Sequence, residues 1–291
     1  MDPTASGLLV IDKPAGLTSQ QVVSRVKRAL GVRKAGHAGT LDPMATGVLV
    51  VGIGRATRLL GYLLGQDKQY RATIRLGMAT VTDDAEGDPI TAPTDATGLD
   101  AARIAQAMSG YLGEISQVPS AVSAVKVDGK RAYARVRAGE DVQLKARQVR
   151  LSRFDLLACR KSPPFTDVDV LVDCSSGTYI RALARDIGND LGVGGHLRAL
   201  RRTQVGAFGL AAATGIPDPA SPPALISLEE CTRWLFDTLD VDAEAAADIR
   251  YGRAIGVRVP ADPTAVFSDG SFLALYRPAG GGSAPVAVFV G

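Results

Sequence analysis

The sequence predicts a mixed α/β (α+β) body followed by a small β-rich domain, and three observations support this fold class. Apolar stretches of strand length alternate with helical stretches along the first 210 residues. The segment 215–227 (GIPDPASPPALIS) carries four prolines and has the composition of a linker. The tail after it consists of short alternating stretches split by Pro, Asp-Gly and Gly-Gly turns, which is typical of a small β-barrel. We therefore expect one domain at residues 1–222 and a second at residues 223–291.

The N-terminal part of the body predicts strands and helices in turn. Residues 7–11 form a short apolar strand, and a Pro-Ala-Gly turn leads to a Thr-Ser pair that caps a helix ending at Gly31. Residues 47–54 (GVLVVGIG) predict a buried strand, and residues 55–64 predict the helix that follows it.

The rest of the body and the start of the tail follow the same logic. Residues 69–76 (QYRATIRL) alternate as a half-buried strand does, and residues 101–112 predict a helix beyond an acidic loop. Residues 118–139 are a strand-and-turn region rich in cations. Residues 168–192 run from a strand through a Ser-Ser-Gly turn into a helix. Beyond the prolines, residues 227–230 (SLEE) form a capping box that opens another helix.

The composition argues against several classes of protein. The three cysteines, Cys159, Cys174 and Cys231, lack any CxxC spacing, so we expect reduced thiols without a disulfide frame or a zinc site. The N-terminus lacks a signal peptide pattern, and apolar runs of about 18 residues are missing, so we expect a cytoplasmic protein. The acidic loop at residues 83–88 lacks the spacing of a calcium loop, and phosphate-binding glycine motifs are missing. We expect no metal and no cofactor.

Charge is distributed unevenly along the chain. Residues 121–202 hold 16 Lys and Arg against 9 Asp and Glu, whereas residues 223–291 hold 5 against 9. A basic middle segment suggests a polyanionic partner, and an ordinary solvated basic surface is the alternative.

The stretch GHAGTLDPMATGVLV at residues 36–50 holds one carboxylate, Asp42, in a loop that leads into the buried strand. Its glycines at positions 36, 39 and 47 permit tight backbone paths, and Pro43 fixes the next φ angle. Rigid presentation of a carboxylate suits a nucleophile or a general base. An Asp in a Gly-rich loop is also a common turn residue, so both interpretations stay open here.

A buried carboxylate needs a nearby cation or it takes up a proton, and SSGTYIRAL offers Arg181 at a predicted helix start. On a helix Tyr179 would diverge from Arg181 by roughly 200° and point elsewhere. A solvated Arg and a core Tyr are the alternative. Tyr70 begins the alternating strand on its apolar face, where it serves either core packing or stacking on a planar base. His37 is a possible base, but Ser or Cys nucleophile partners are not evident beside it.

Taken together, these motifs match a family. GHAGTLDPMATGVL resembles the signature loop of the TruB-type pseudouridine synthases, which isomerise uridine-55 in the T arm of tRNA. DKPAGLTS, DKQYRATIRLG, SSGTYIRAL and LRRTQVGAFGL resemble further motifs of that family, and VPSAVSAVKVDGKRAYARVRAG resembles its basic segment. The matches occur in family order over most of residues 7–210, so they are far more specific together than any one alone.

The resemblance implies a pseudouridine synthase fold, with a mixed, mainly antiparallel sheet flanked by helices, and a C-terminal PUA-like RNA-binding barrel. Asp42 is then the nucleophile, Tyr70 stacks on the target uracil, Tyr179 lines the pocket and Arg181 pairs with Asp42. Whether Asp42 attacks the uracil ring or C1′, or helps to eliminate the base to a glycal, stays open.

The resemblance also assigns supporting roles. Asp84 lines the site, Leu200 packs the pocket, and His37 fills the gap left by the flipped nucleotide. Lys13 belongs to the KPxG turn that supports the active-site loop. A basic strip is expected to hold RNA phosphates, and its members are Lys126, Lys130, Arg131 and Arg202.

The implied partner is tRNA, recognised through its T-arm stem-loop, and we expect a monomer that binds no membrane. The acidic tail is expected to add little affinity through charge. Two alternatives remain, namely a non-catalytic module that refolds tRNA, and an enzyme for another uridine position or RNA class.

Overall fold

The computed structural model describes residues 5–121, 126–127, 130–131 and 144–290. Its helices are α1 (Ser19–Leu30), α2 (Leu60–Gly65), α3 (Ala101–Ser109), α4 (Ile180–Asp190), α5 (Leu228–Leu235) and α6 (Ala243–Arg250). Its strands are β1 (Gly7–Lys13), β2 (Ala35–Ala38), β3 (Thr46–Ile53), β4 (Lys68–Leu76), β5 (Gly113–Gln117), β6 (Lys126–Val127), β7 (Lys130–Arg131), β8 (Arg147–Ser162), β9 (Phe165–Cys174), β10 (Gly195–Val205), β11 (Phe208–Gly209), β12 (Thr238–Asp240), β13 (Thr264–Ser268), β14 (Ser271–Ala279) and β15 (Gly282–Val288). Within the described segments, no helix is long and apolar enough to cross a membrane.

A large mixed sheet forms the body. Its strand order is β1-β3-β10-β4-β9-β8-β5, with β2 paired to β3 and β11 paired to β10. The pairing of β3 with β10 is parallel, through Thr46 with Arg201 and Gly47 with Arg202, and the other pairings described within this sheet are antiparallel. The predicted mixed, mainly antiparallel sheet with flanking helices is therefore confirmed.

The alternating pattern of β4 explains how the sheet acquires its core. Alternate residues of the strand are buried, and they join a cluster with the apolar side of α4. That cluster includes Ile74 and Leu76 of the strand, and Leu183 and Ile187 of the helix. Burial of such side chains stabilises the fold by about 1.5–3 kcal/mol each. The strand-turn-helix segment predicted at residues 168–192 thus lies across the centre of the body.

The predicted helix boundaries are largely confirmed. Thr18 and Gln21 form a capping box at the start of α1, and Gly31 ends that helix in the left-handed region at φ 66°. The segment predicted as one helix at residues 55–64 begins as a 3₁₀ helix at Gly54–Leu59 before α2. The helix predicted at residues 101–112 ends at Ser109. Most of the predicted basic region at residues 118–139 lies outside the described residues.

The C-terminal part is a four-stranded sheet in the order β12-β13-β14-β15, with α5 and α6 beside it. The Ser227 hydroxyl accepts a hydrogen bond from the Glu230 amide and so caps α5 as expected. The proline-rich segment is attached to β1 near both of its ends, since Thr214 and Ile226 exchange backbone hydrogen bonds with that strand. Leu8 of β1 and Phe267 of β13 belong to one apolar cluster, so the two parts share a core.

Candidate active site

The loop between β2 and β3 carries Asp42. It leaves β2 through Gly39 at φ 85°, and Gly47 lies at φ 100° where β3 begins to pair with β10. A Cβ at position 47 would lie 2.1 Å from the Arg202 carbonyl oxygen, so only Gly fits there. Gly36 differs from the prediction, because it lies within β2 and outside the left-handed region.

Three residues, Ser19 at the start of α1 and Lys13 and Gly16 in the turn before it, hold this loop in place. The Ser19 hydroxyl bonds both the amide and the carbonyl of Leu41, at 2.8 and 3.0 Å. The carbonyl of Pro43 accepts from the Gly16 amide at 2.8 Å and from Lys13 Nζ at 3.2 Å. The turn containing Lys13 thus supports the loop. Burial lowers the pKa of this lysine to about 8, and the Asp42 carboxylate partly opposes that effect.

Arg181, the second residue of α4, lies between two carboxylates. Its Nε is 3.0 Å from Asp42 Oδ2 and its Nη2 is 3.3 Å from Asp42 Oδ1, so it approaches this carboxylate through two nitrogens. Its third nitrogen, Nη1, is 3.3 Å from Asp84 Oδ2 and donates to the Thr82 carbonyl at 2.9 Å. The Arg181 side chain is 6% exposed, whereas that of Asp42 is 36% exposed. The carboxylate is therefore reachable from solvent while its counterion is not.

The charge environment of Asp42 combines opposing effects. Burial raises the pKa of its carboxyl above the ordinary value, the Arg181 guanidinium opposes the rise, and the Asp84 carboxylate adds to it. The net result is a raised pKa. A carboxylate that is costly to ionise is a stronger base than an exposed one, and the arginine favours its charged form.

A cavity of about 330 Å³ opens beside this ion pair. Its lining includes Tyr70, Tyr179, Leu200 and Arg202 as well as Asp42 and Arg181. Tyr70 is 7% exposed, and burial raises the pKa of its phenol. A cavity with an ionisable carboxylate and an aromatic ring in its lining suits chemistry on a planar ring.

Tyr179 differs from its predicted geometry. It precedes α4 in an extended conformation, so the helical separation from Arg181 does not apply and both residues line the same cavity. The Gln117 side chain fixes its backbone by donating to the Tyr179 carbonyl at 3.1 Å and accepting from its amide at 2.8 Å.

Arg202 does not lie on an exposed basic strip, which corrects the sequence prediction. It is 1% exposed, and its guanidinium donates to the carbonyls of Val48 at 2.7 Å and Gly39 at 3.0 Å. The side chain is turned inward because these two carbonyls, on the loop and the strand beside it, take its N–H groups. It therefore supports the Asp42 loop and the cavity wall. The side chains of Lys126, Lys130 and Arg131 lie outside the described part of the structure.

His37 lies in β2, opposite Val51 of β3, and is not among the residues that line the cavity. Burial lowers the pKa of its imidazole, and the nearby Arg202 guanidinium lowers it further. His37 is therefore neutral near physiological pH. Across the described segments, no cluster of His, Cys, Asp and Glu could hold a metal ion.

Comparison with known proteins decides the family. Residues 27–180 match the TruB family pseudouridylate synthase N-terminal domain. The chain belongs to the TruB family. Residues 181–216 match the tRNA pseudouridylate synthase B C-terminal domain, and residues 236–290 match the C-terminal domain of tRNA pseudouridine synthase II.

Individual relatives agree with this assignment. The chain is 58% identical over 281 residues to tRNA pseudouridine synthase B of Cutibacterium acnes, covering 96% of this chain and 95% of the relative. It is 56% identical over 276 residues to the protein of the same name from Mycobacterium sp. (strain KMS), covering 93% and 92%. A solved structure titled "Structure of H/ACA RNP bound to a substrate RNA containing 2'-deoxyuridine" aligns with a TM-score of 0.69 at 24% identity. That alignment covers 98% of this chain and 85% of the other, and it supports the fold.

Sequence reasoning missed several residues that build the site of this TruB-family chain. Ser19 and Gln117 act on backbone groups, and their own sequence context gives no signal of that role. Lys68 lines the cavity and is buried, with Nζ donating to the carbonyl of Leu64 at 2.7 Å. It occupies a core-facing position of the alternating strand β4, where a lysine is unusual, and that signal could have identified it.

Proposed function

We propose that this chain isomerises uridine-55 in the T arm of tRNA to pseudouridine, with Asp42 as the nucleophile. The family and the relatives named tRNA pseudouridine synthase B support the reaction. The observation that carries the residue assignment is the ion pair of Asp42 with Arg181 in the lining of the cavity that Tyr70 also lines.

The reaction breaks the bond between N1 and C1′, turns the uracil and rejoins it through C5. Asp42 must be ionised to act as a nucleophile, and Arg181 supports that state while the Asp42 side chain remains 36% exposed. Attack on the uracil ring, attack on C1′ and elimination of the base to a glycal all require the same positioned carboxylate.

The target uridine must leave the folded RNA loop before it can reach Asp42. Extrusion costs a few kcal/mol. Stacking on Tyr70 recovers about 1–3 kcal/mol, and Leu200 supplies apolar contact on the same cavity. His37, neutral and beside the loop, fills the space that the uridine vacates. Asp84 is buried and is not among the residues that line the cavity, so its role is to hold Arg181 through Nη1 rather than to line the site as predicted.

RNA phosphates are held by the basic segment that includes Lys126, Lys130 and Arg131, so binding weakens as salt concentration rises. We propose that the C-terminal sheet closes as a PUA-like barrel and contacts the acceptor end of the tRNA by shape, since its sequence is acidic. The protein then acts as a cytoplasmic monomer, with a catalytic domain at residues 1–222 and the barrel at residues 223–291.

Base-resolution pseudouridine mapping on tRNA incubated with the pure protein tests this proposal. We expect modification at position 55 by the wild type. Asp42→Asn and Asp42→Ala are expected to fold and bind tRNA but to release no tritium from a T-arm stem-loop labelled at C5 of uridine. Pseudouridine formed by either variant would contradict the nucleophile role of Asp42. If both variants kept the full function of the wild-type protein on tRNA, the alternative of a non-catalytic tRNA-folding module would be favoured. A panel of other transcripts identifies a different target position or RNA class.

A further inference from the structure

Two arginines one turn apart on α4 contact the same acidic loop. Arg181 Nη1 lies against the Thr82 carbonyl at 2.9 Å and Asp84 Oδ2 at 3.3 Å. Arg185 Nη1 donates to Asp83 Oδ2 at 3.1 Å. Arg181, which also contacts Asp42, therefore binds Thr82 and Asp84 of the loop. Arg185 binds Asp83, which lies between them.

The backbone of Asp83 is fixed as firmly as its side chain. Its φ of 58° lies in the left-handed region, which Asp tolerates better than most residues. Its amide donates to the Thr80 carbonyl at 3.2 Å, and its carbonyl accepts from the Leu197 amide at 2.9 Å. Leu197 belongs to β10, the strand that also carries Leu200 to the cavity. The amide, carbonyl and carboxylate of Asp83 are thus all in use although the residue touches neither Asp42 nor the cavity.

This conformation determines what Arg181 can contact. Thr82 and Asp84 flank Asp83, and its left-handed turn brings the carbonyl of one and the carboxylate of the other to the same guanidinium nitrogen. With Nη1 occupied in this way, Nε and Nη2 remain directed at Asp42. We propose that Asp83 is a positioning residue for the reaction, acting through Arg181 on the orientation and ionisation of Asp42. This inference rests on the proposed function.

The charged groups around Asp83 are Arg185, Arg181 and Asp186. Asp186 provides a matched control, because it also pairs with Arg185, at 2.8 Å from Nε, but does not belong to the loop. Removing Asp186 deprives Arg185 of a carboxylate partner while leaving the loop bound. Removing Asp83 deprives Arg185 of a partner and releases the loop at the same time.

The test measures single-turnover pseudouridine formation on tRNA across the acid and neutral pH range. Asp83→Ala is expected to lower the rate by about 10-fold to 100-fold at unchanged tRNA affinity, with the acid limb of the profile moved to higher pH. Asp83→Asn keeps an acceptor oxygen and tolerates the left-handed region, so it is expected to keep most of the rate. Arg185→Met should reproduce the loss, and the double variant should lose no more than either single one. Asp186→Asn should behave as the wild type.

Several outcomes would overturn the inference. An Asp83→Ala protein with the rate and pH limb of an active wild type would exclude a positioning role. An equal loss in Asp186→Asn would show that only the charge on Arg185 matters. If Asp83→Ala does not fold, a wild-type profile for Arg185→Met would overturn the inference in its place. A wild-type protein that makes no pseudouridine would overturn both the proposed function and this inference. An active wild-type protein with an unaffected Asp83→Ala variant would overturn this inference alone.

Discussion

The hydroxyl of Ser19 bonds to both backbone groups of Leu41, the residue immediately before Asp42. A side chain at the start of α1 thus fixes the backbone that presents the carboxylate. Ser19→Ala leaves a buried amide and a buried carbonyl without this partner, and such groups cost about 1–3 kcal/mol.

We expect Ser19→Ala to lower the free energy of unfolding by that amount and to slow single-turnover product formation about tenfold. Urea denaturation and a quenched single-turnover assay measure the two effects. Ser24→Ala is the matched control, because Ser24 lies on the exposed side of the same helix and donates to the Gln20 carbonyl of that helix. The loop would not need Ser19 if both variants reacted at the wild-type rate.

The position of Arg181 between Asp42 and Asp84 predicts opposite pH effects for two substitutions. The reaction requires the ionised form of Asp42, so its rate falls as pH falls through the raised pKa of that carboxyl. Arg181→Ala removes the cation that lowers this pKa, so the acid limb should move to higher pH. Asp84→Asn removes a like charge that raises it, so the limb should move to lower pH. Lys13 also lowers this pKa and stays unchanged in both variants.

The measurement is the pH profile of tritium release at saturating RNA stem-loop. The acid limb of each variant's profile is compared with that of the wild type at the same salt concentration, because phosphate binding changes with salt. Limbs that move in the same direction for the two variants would contradict the assignment of Asp42 as the titrating group.

Gly47 is where β3 approaches β10 most closely. Its φ of 100° and the 2.1 Å between a hypothetical Cβ and the Arg202 carbonyl exclude any side chain. Gly47→Ala should lower the free energy of unfolding by about 2–4 kcal/mol, measured by urea denaturation. Gly61→Ala, in α2 with open space around the position, should raise it by about 0.4–1 kcal/mol. Equal effects of the two substitutions would be inconsistent with this packing.

Local patterns were enough to predict the elements that carry the site. The period-two alternation of β4, the cap at the start of α1 and the end of that helix at Gly31 each depend on residues within one element, so the sequence contains the whole signal. The need of Asp42 for a cation was also predictable from electrostatics. The choice of Arg181, which is 139 positions further along the chain, came from the resemblance to a family.

The remaining features depend on long-range contacts that a local pattern does not encode. Gln117 binds the backbone of Tyr179, which is 62 positions further along the chain. The sequence around either residue does not indicate that contact. The inward turn of Arg202 depends on carbonyls of the loop and of β3 that are placed only when β3 pairs with β10. The basic sequence context of Arg202 instead indicates a residue that holds RNA phosphates.

Lys68 predicts a pH dependence of stability that is separate from catalysis. Burial lowers the pKa of this lysine to about 8 in the folded protein, from 10.5 for an unperturbed lysine. The unfolded chain therefore binds more protons between these two values, so this group makes the fold more stable as pH rises through that window. At neutral pH its charged form weakens the fold. Lys68→Met removes the ammonium and with it this dependence, although it also loses the hydrogen bonds to the Leu64 and Gln66 carbonyls.

We expect the unfolding free energy of Lys68→Met minus that of the wild type to decrease from neutral pH to about pH 10. Paired urea denaturation at the two pH values measures this difference, and contributions from other titrating groups cancel because both proteins contain them. The two hydrogen bonds lost in the variant add nearly the same amount at both values, so they shift the difference without changing its slope. A difference that stays constant would mean that Lys68 is solvated in the folded protein and is not part of the buried cavity wall.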